Sequence, residues 1–350
     1  MLQGASPTSY SPARGRVDVL AGAAGLIQRH AGTAHQCRLL MTALRGLQDP
    51  ALDDPPLQLA CVHLPLLVYA SLRGDAAPAI PLAVVTALLH LGIDVFDDLA
   101  DGDLPAHWAG HRPAEIHLAA ATLFAALPQL ALADLDAAPA CRVAMQRALA
   151  GSLLRMSAGQ QRDLALAGAA TAGPDDIAAS VDDKSGEELA LFAALAAQLA
   201  GAPAALVRTY AALGHALGTG RQFAEDCYDL FTAPHSRDLA SGARTLPIAL
   251  YLERQTGEER ARFLALLADA RRDAAAQEAV RRCLRAAGVL RHCAVIVEVY
   301  CQRARRLLEE AAAGEPGRGG LQGMVDVVSF FPRRPPAVRE EATKEVALMV

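Results

Sequence analysis

Two acidic clusters lie inside apolar, helix-patterned stretches, and that placement limits what the chain can become more than any other feature. The first runs Asp94-Val95-Phe96-Asp97-Asp98-Leu99-Ala100-Asp101, and the second runs Gln222-Phe223-Ala224-Glu225-Asp226-Cys227-Tyr228-Asp229. Spacings of three and four residues put the acids of each cluster on one helix face. Like charges so close repel, and apolar surroundings strip their hydration. Each cluster therefore calls for a cation. Two such faces suit a hard divalent metal and a phosphate-bearing substrate.

Composition agrees with a helical chain. Of 350 residues, 53% are hydrophobic and only 4% aromatic, with alanine and leucine dominant. Strands favour aromatic and β-branched residues, so this balance points to helices. The net charge of -5 gives no nucleic-acid footprint. Seven cysteines (Cys37, Cys61, Cys141, Cys227, Cys283, Cys293, Cys301) are scattered without a C-x-x-C pair. They read as reduced core residues of a cytoplasmic protein. The ten histidines show no metal-ligand spacing.

Met1 to Arg16 is rich in Ser, Pro, Gly and Ala, lacks a signal-peptide core and reads as a flexible tail. Uncharged stretches at Ala76–Ile93 and Leu189–Val207 approach membrane-spanning length. Prolines, and the break at Gly201-Ala202-Pro203, favour core helices over spans. Periodicity predicts helices over 17–47, 57–72, 80–101, 114–133, 141–167, 174–200 and 204–230, with more between 246 and 312. Asp53-Asp54-Pro55-Pro56 predicts a turn, and Gly314–Gly323 a glycine-rich break.

These residues resemble the trans-isoprenyl diphosphate synthase (polyprenyl synthetase) superfamily. Leu88-Leu89-His90 followed by Asp97-Asp98-Leu99-Ala100-Asp101 resembles its first aspartate-rich motif. Gly159-Gln160-Gln161-Arg162-Asp163-Leu164 resembles its G-Q-x-x-D-L segment, and Lys184-Ser185-Gly186 its lysine-threonine segment. Gln222 to Asp229 is similar to the second aspartate-rich motif. Arg237-Asp238-Leu239 and Gly242 to Pro247 resemble the loop after it. One acidic motif is weak evidence, whereas five in order are specific. The form D-x-x-D-D-x-x-D-x-D (Asp94 to Asp103), followed by Trp108, resembles a divergent bacterial branch with pheromone prenyltransferases and synthase-like terpene cyclases.

The resemblance implies an all-α, single-domain isoprenoid synthase bundle with a central active-site cavity, over residues 17–313, before a Gly/Pro/Arg-rich segment at 314–350. It implies Mg²⁺ held by Asp97, Asp98 and Asp101 on one side and by Glu225, Asp226 and Asp229 on the other, with Asp94 extending the first face. Asp97, Asp98 and Asp226 would be catalytic. Lys184, Arg221, Gln222, Arg237, Arg244 and His90 would contact the substrate diphosphate. Bland readings stand beside these. Lys184, one of only two lysines, sits beside Asp182 and Asp183, as a surface lysine would. The arginines suit capping or surface roles, Asp94 a bond to a neighbouring helix, and His90 a core position.

Departures from the family pattern fall on one ligand. Chain-elongating members carry G-G-K-R-x-R-P before the first cluster, to clamp isopentenyl diphosphate. Here the stretch is Leu59-Ala60-Cys61-Val62-His63-Leu64-Pro65. The arginine pair after the first cluster is replaced by His107-Trp108-Ala109-Gly110-His111-Arg112-Pro113, and a G-K by Gly242-Ala243. Each lost charge-assisted bond costs about 1.5–3 kcal/mol. The expected function is thus a class I terpene synthase, a carbon-oxygen lyase ionising a linear C15–C25 prenyl diphosphate. Gly92, upstream of the first cluster, would leave room for the tail, with the floor at Phe192 or Leu66 as the other option. Prenyl transfer, by chain elongation or onto a non-isoprenoid acceptor, and a non-catalytic partner subunit are the alternatives. A homodimer without nucleic-acid partners or transmembrane segments is expected.

Overall fold

The computed structural model describes residues 11–48, 56–167 and 171–331. All the long regular elements among them are helices, and none is a strand. In chain order these are α1 (Pro12–His30), α2 (Ala34–Ala43), α3 (Ala60–Arg73), α4 (Ile80–Asp101), α5 (Pro113–Ala121), α6 (Leu127–Ala133), α7 (Pro139–Leu166) and α8 (Pro174–Val181). There follow α9 (Glu187–Leu199), α10 (Ala204–Thr232), α11 (Arg237–Ser241), α12 (Leu246–Glu253), α13 (Gly257–Ala270), α14 (Ala274–Ala286), α15 (Val289–Glu310) and α16 (Gly317–Val328). Single π-helical turns join α5 to α6 at Thr122–Ala126 and α8 to α9 at Asp182–Gly186. Pro12 to Arg16, expected in the tail, are helical. The turn at Asp53-Asp54-Pro55 and the segments before Ser11 and after Phe331 lie outside the described residues.

The described residues gather into two compact units. One draws on the described residues within 11–150, 191–211 and 308–324, the other on those within 151–190, 212–307 and 325–331. The first is built around α4. Pro81 stands in its first turn, where a missing N–H does no harm. Gly102 stops it in the left-handed conformation at φ 72°, giving its N–H to the Asp98 carbonyl. Leu82, Val85, Leu88, Leu89 and Leu91 are buried along it, each contributing roughly 1.5–3 kcal/mol. Helices α1, α3, α5 and α6 pack around it.

One contact ties α3 to α4 chemically. Pro65 lies inside α3 and has no N–H to offer the carbonyl one turn earlier, at Cys61. The Thr86 hydroxyl of α4, itself fully buried, donates to that carbonyl at 2.5 Å. The glycines of 314–323 do not break the chain as expected, because α16 starts at Gly317. A Cβ at Gly317 would stand 2.2 Å from the Leu67 carbonyl oxygen, and one at Gly320 would stand 2.3 Å from a Leu67 methyl. Glycine is what lets this helix lie against α3.

In the second unit α10 ends under two arginines. Arg281 donates to the carbonyls of Leu230 and Ala233 at 2.8 and 2.6 Å, and Arg285 to Phe231 at 2.9 Å. Cations here satisfy carbonyls that the helix end leaves open. Arg305, 2% exposed, is paired with Glu298 at 2.7 Å and Asp326 at 3.0 Å. None of the seven cysteines is in a disulfide. Two helical stretches, Ala77–Ala100 and Pro113–Ala133, are long and apolar enough to cross a membrane by length and composition. Within the first, 67% of the apolar window is buried in protein, as a core helix requires. The Gly201–Pro203 break separates α9 from α10, as its residues predict.

Thr86→Val keeps the shape of the side chain and deserts the Cys61 carbonyl. It should lower stability by about 1–3 kcal/mol, against less than about 1 kcal/mol for Thr86→Ser. Urea unfolding of both variants checks this, and equal losses would contradict it.

Candidate active site

The first acidic cluster lies at the C-terminal end of α4. Asp94 is exposed, and Asp97 and Asp98 are half-buried. The side chain of Asp101 lies outside the described part. His90 Nε2 stands 3.3 Å from Asp94 Oδ2, one turn along the helix. His90 is mostly covered, with 15% of its side chain exposed, and is joined to the acidic face instead of being lost in the core.

Just upstream, the expected open space at Gly92 is absent. A Cβ on Gly92 would meet the Phe124 backbone nitrogen at 2.5 Å and its Cα at 2.7 Å. Phe124 belongs to the π-helical turn between α5 and α6, and its ring meets Phe96 edge-on at 5.6 Å. Gly92 is a site of close backbone approach, so its lack of a side chain leaves no room for a substrate tail.

The second cluster lies near the C-terminal end of α10, in the other unit. Asp226 is buried, Glu225 is exposed, and Arg221, Gln222 and Asp229 are partly covered. Gln222 Nε2 donates to Asp226 Oδ1 at 2.9 Å, and Arg221 Nε to Glu225 Oε1 at 2.7 Å. Asp229 turns to the following loop, accepting from the Ser236 hydroxyl and from the N–H groups of Arg237 and Asp238. Burial pushes the Asp226 carboxyl well above the usual carboxylate range. Asp238, Glu225 and Asp163 push it further, and only the Gln222 hydrogen bond acts the other way.

Lys184 lies in the π-helical turn Asp182–Gly186, where one extra residue per turn changes which side chains face α7 and α10. It pairs with Asp163 of α7 at 2.9 Å. Its neighbours in sequence have partners of their own. Arg162 reaches Asp183 at 2.6 Å, and Thr219 donates to Asp182 at 2.7 Å. The Ser185 hydroxyl donates to Gln222 Oε1 at 2.9 Å, so a polar relay runs from Ser185 through Gln222 to Asp226. Glycines permit these approaches. A Cβ at Gly218 would stand 2.1 Å from the Ser185 carbonyl oxygen, and one at Gly159 would stand 2.9 Å from Asp183 Cβ.

Arg237 is exposed on α11. Arg244 is half-buried, its Nε has no hydrogen-bond partner, and burial followed by the nearby Arg260 lowers its affinity for its proton. Asp163 and Asp238 are the acids that sequence reasoning does not assign to the site. Their one signal is position, each falling inside a family-like motif.

Among the described residues, no three His, Cys, Asp or Glu side chains already converge on a metal position. The donor set still fits a hard divalent cation. It is all carboxylate oxygen, one member is buried, and its charged neighbours named above are acids. Asp97 and Asp98 in one unit, and Glu225 and Asp226 in the other, offer oxygen of the kind such a metal prefers.

The raised Asp226 carboxyl also makes a stability prediction. The folded, metal-free protein holds this proton more tightly than the unfolded chain. Stability is therefore lost as pH rises from the ordinary carboxylate value through the raised one. Asp226→Asn should stabilise the metal-free protein near pH 8 by about 1–3 kcal/mol, with the gain shrinking as pH falls. Thermal unfolding in EDTA across pH measures it, and a pH-independent effect would count against the buried charge.

The polyprenyl synthetase family model matches residues 63–286, which hold every motif described above. No curated protein matches in sequence. Among solved structures, the chain is similar to a geranylgeranyl pyrophosphate synthetase from Pyrococcus horikoshii, at 20% identity and TM-score 0.76, covering 93% of this chain and 98% of that one. A polyprenyl synthetase from Streptomyces coelicolor is 21% identical with TM-score 0.75, covering 91% and 98%. A polyprenyl synthase from Caulobacter crescentus, complexed with calcium and isoprenyl diphosphate, is 19% identical with TM-score 0.74, covering 92% and 98%. At such identities the likeness shows the fold, while the family model spans well over half of the sequence: the chain belongs to the polyprenyl synthetase family.

Proposed function

We infer that this polyprenyl synthetase relative is a class I, Mg²⁺-dependent terpene synthase that ionises a linear allylic prenyl diphosphate without isopentenyl diphosphate. The observation that carries this reading lies in α3. Where chain-elongating members are expected to present lysine and arginine to a second diphosphate, Leu59, Cys61, Val62 and Leu64 are buried, and His63 is 2% exposed. A dianionic group needs cationic partners, and this stretch offers no lysine or arginine and only a buried histidine, His63. The residues expected to bind the allylic diphosphate, Lys184, Arg221, Gln222, Arg237, Arg244 and His90, are present in the chain. Arg244 supports this reading directly, because a half-buried guanidinium with an unpartnered Nε and a cationic neighbour suits an anion.

In this reading Asp97 and Asp98 on α4 and Glu225 and Asp226 on α10 are metal ligands, each pair on its own helix. Bound Mg²⁺ would neutralise the charge on the departing diphosphate. Lys184, Arg221, Arg237 and Arg244 bind the phosphate oxygens, and Gln222 orients Asp226 through the hydrogen bond it already makes. Lys184 arrives with its charge directed by Asp163. The calcium and isoprenyl diphosphate of the Caulobacter complex support the same ligand chemistry here.

Prenyl transfer is the second reading. It is favoured by the similar structures, which are geranylgeranyl and polyprenyl synthases by name. Incubation with C10, C15, C20 and C25 prenyl diphosphates and Mg²⁺, with and without isopentenyl diphosphate, separates the two. Hydrocarbon or alcohol formed without isopentenyl diphosphate is the expected result. A longer diphosphate, seen only when isopentenyl diphosphate is present, would replace the first reading with the second. Arg244→Gln should lower kcat/KM for the prenyl diphosphate by about 10- to 100-fold, the worth of one charge-assisted hydrogen bond.

A further inference from the structure

Asp229 completes the second acidic cluster in sequence, yet its carboxylate is engaged elsewhere. Oδ2 accepts from the Ser236 hydroxyl at 2.5 Å and from the Asp238 N–H at 3.2 Å, and Oδ1 accepts from the Arg237 N–H at 3.1 Å. A carboxylate offers about four acceptor positions, so little of this one is left for a metal. Ser236, fully buried, is held from the other side as well. Its N–H donates to Gln277 Oε1 at 3.1 Å, and its carbonyl accepts from Gln277 Nε2 at 3.3 Å. Its hydroxyl also accepts the Leu239 N–H, which starts α11. The start of this short helix is therefore fixed by two side chains, Asp229 and Gln277.

What the helix carries gives that anchoring a purpose. Asp238 is its second residue and lies close enough to Asp226 to be the strongest of the charges acting on it. Gly242, at φ 83°, closes the helix with its N–H on the Asp238 carbonyl, and Arg244 follows two residues later. The orientation of α11 thus decides where Asp238 stands against Asp226 and where Arg244 enters the chain's turn toward α12.

We propose that Asp229 is a positioning residue: its carboxylate holds the Ser236–Asp238 backbone, so it acts on the reaction through Asp238 and Arg244 instead of ligating the metal. The proposal rests on the reading of Glu225 and Asp226 as metal-binding residues.

The test compares Asp229→Asn, Asp229→Ala and Ser236→Ala with Asp226→Asn in the full chain. Hydrogen exchange of the 233–244 segment, in EDTA and without substrate, reads the anchoring alone. Asp229→Ala and Ser236→Ala should each speed exchange there by about tenfold or more, while Asp229→Asn, which keeps one accepting oxygen and turns an amide donor toward the remaining backbone N–H, should speed it by less than Asp229→Ala but measurably. Titration calorimetry with Mg²⁺ and inorganic pyrophosphate reads the ligands. Mg²⁺ affinity should stay within about threefold for Asp229→Asn and Ser236→Ala and fall by about tenfold or more for Asp226→Asn. In turnover, Asp229→Ala should raise KM and lower kcat, and Asp229→Asn should recover part of both. If Asp229→Asn instead weakens Mg²⁺ as much as Asp226→Asn does, with exchange in 233–244 unchanged, Asp229 is a ligand and the proposal is overturned. Absence of turnover in the wild-type protein would overturn the functional reading only, since the exchange and calorimetry comparisons decide the anchoring without it.

Discussion

Asp226 is buried beside Asp238, Glu225 and Asp163, and much of the second unit can be understood as arranged around that unfavourable placement. An acid in this position must take up a proton, gain a cation or be held by its surroundings against repulsion. Gln222 gives it one hydrogen bond, and Ser185 fixes Gln222 in turn. Asp163 is partly neutralised by Lys184, and Asp183 by Arg162. Arg281 and Arg285 secure the end of α10 that carries the cluster. Cations thus pair with Asp163, Asp183 and Glu225, while Asp226 takes its hydrogen bond from the neutral Gln222 amide.

The two acidic helices were legible in the sequence, and for physical reasons. Pro81 and Gly102 mark the two ends of α4, and the acids recur at helical spacing along an otherwise apolar run. The residues that surround Asp226 were not legible to the same degree. Asp163 and Asp238 are distant from it in sequence, and their proximity depends on α7, α10 and α11 meeting at set angles. A signal for the approach of α7 and α10 to the Asp182–Gly186 turn was present in Gly159 and Gly218, since glycine inside a helix costs about 1 kcal/mol and needs a packing reason. Gly92 misleads in the opposite direction, because in sequence a missing side chain reads as space. Glycine marks room for something, and at Gly92 that something is the Phe124 backbone. The same holds at Gly317 and Gly320, where a glycine-rich stretch serves as a helix surface instead of a break.

The π-helical turn at Asp182–Gly186 has a bearing on how this chain can be compared with others. Such a turn holds one residue more than an α-helix would over the same rise. Residues beyond it keep the facing they would have in an uninterrupted helix one residue shorter. A periodicity counted straight from Pro174 to Leu199 therefore drifts by about 100° after Gly186. An alignment that allows no gap in this helix pairs every later position with the wrong face of a relative lacking the turn. Comparisons of Lys184 and Ser185 between relatives are sound only if the extra residue is placed within these five positions.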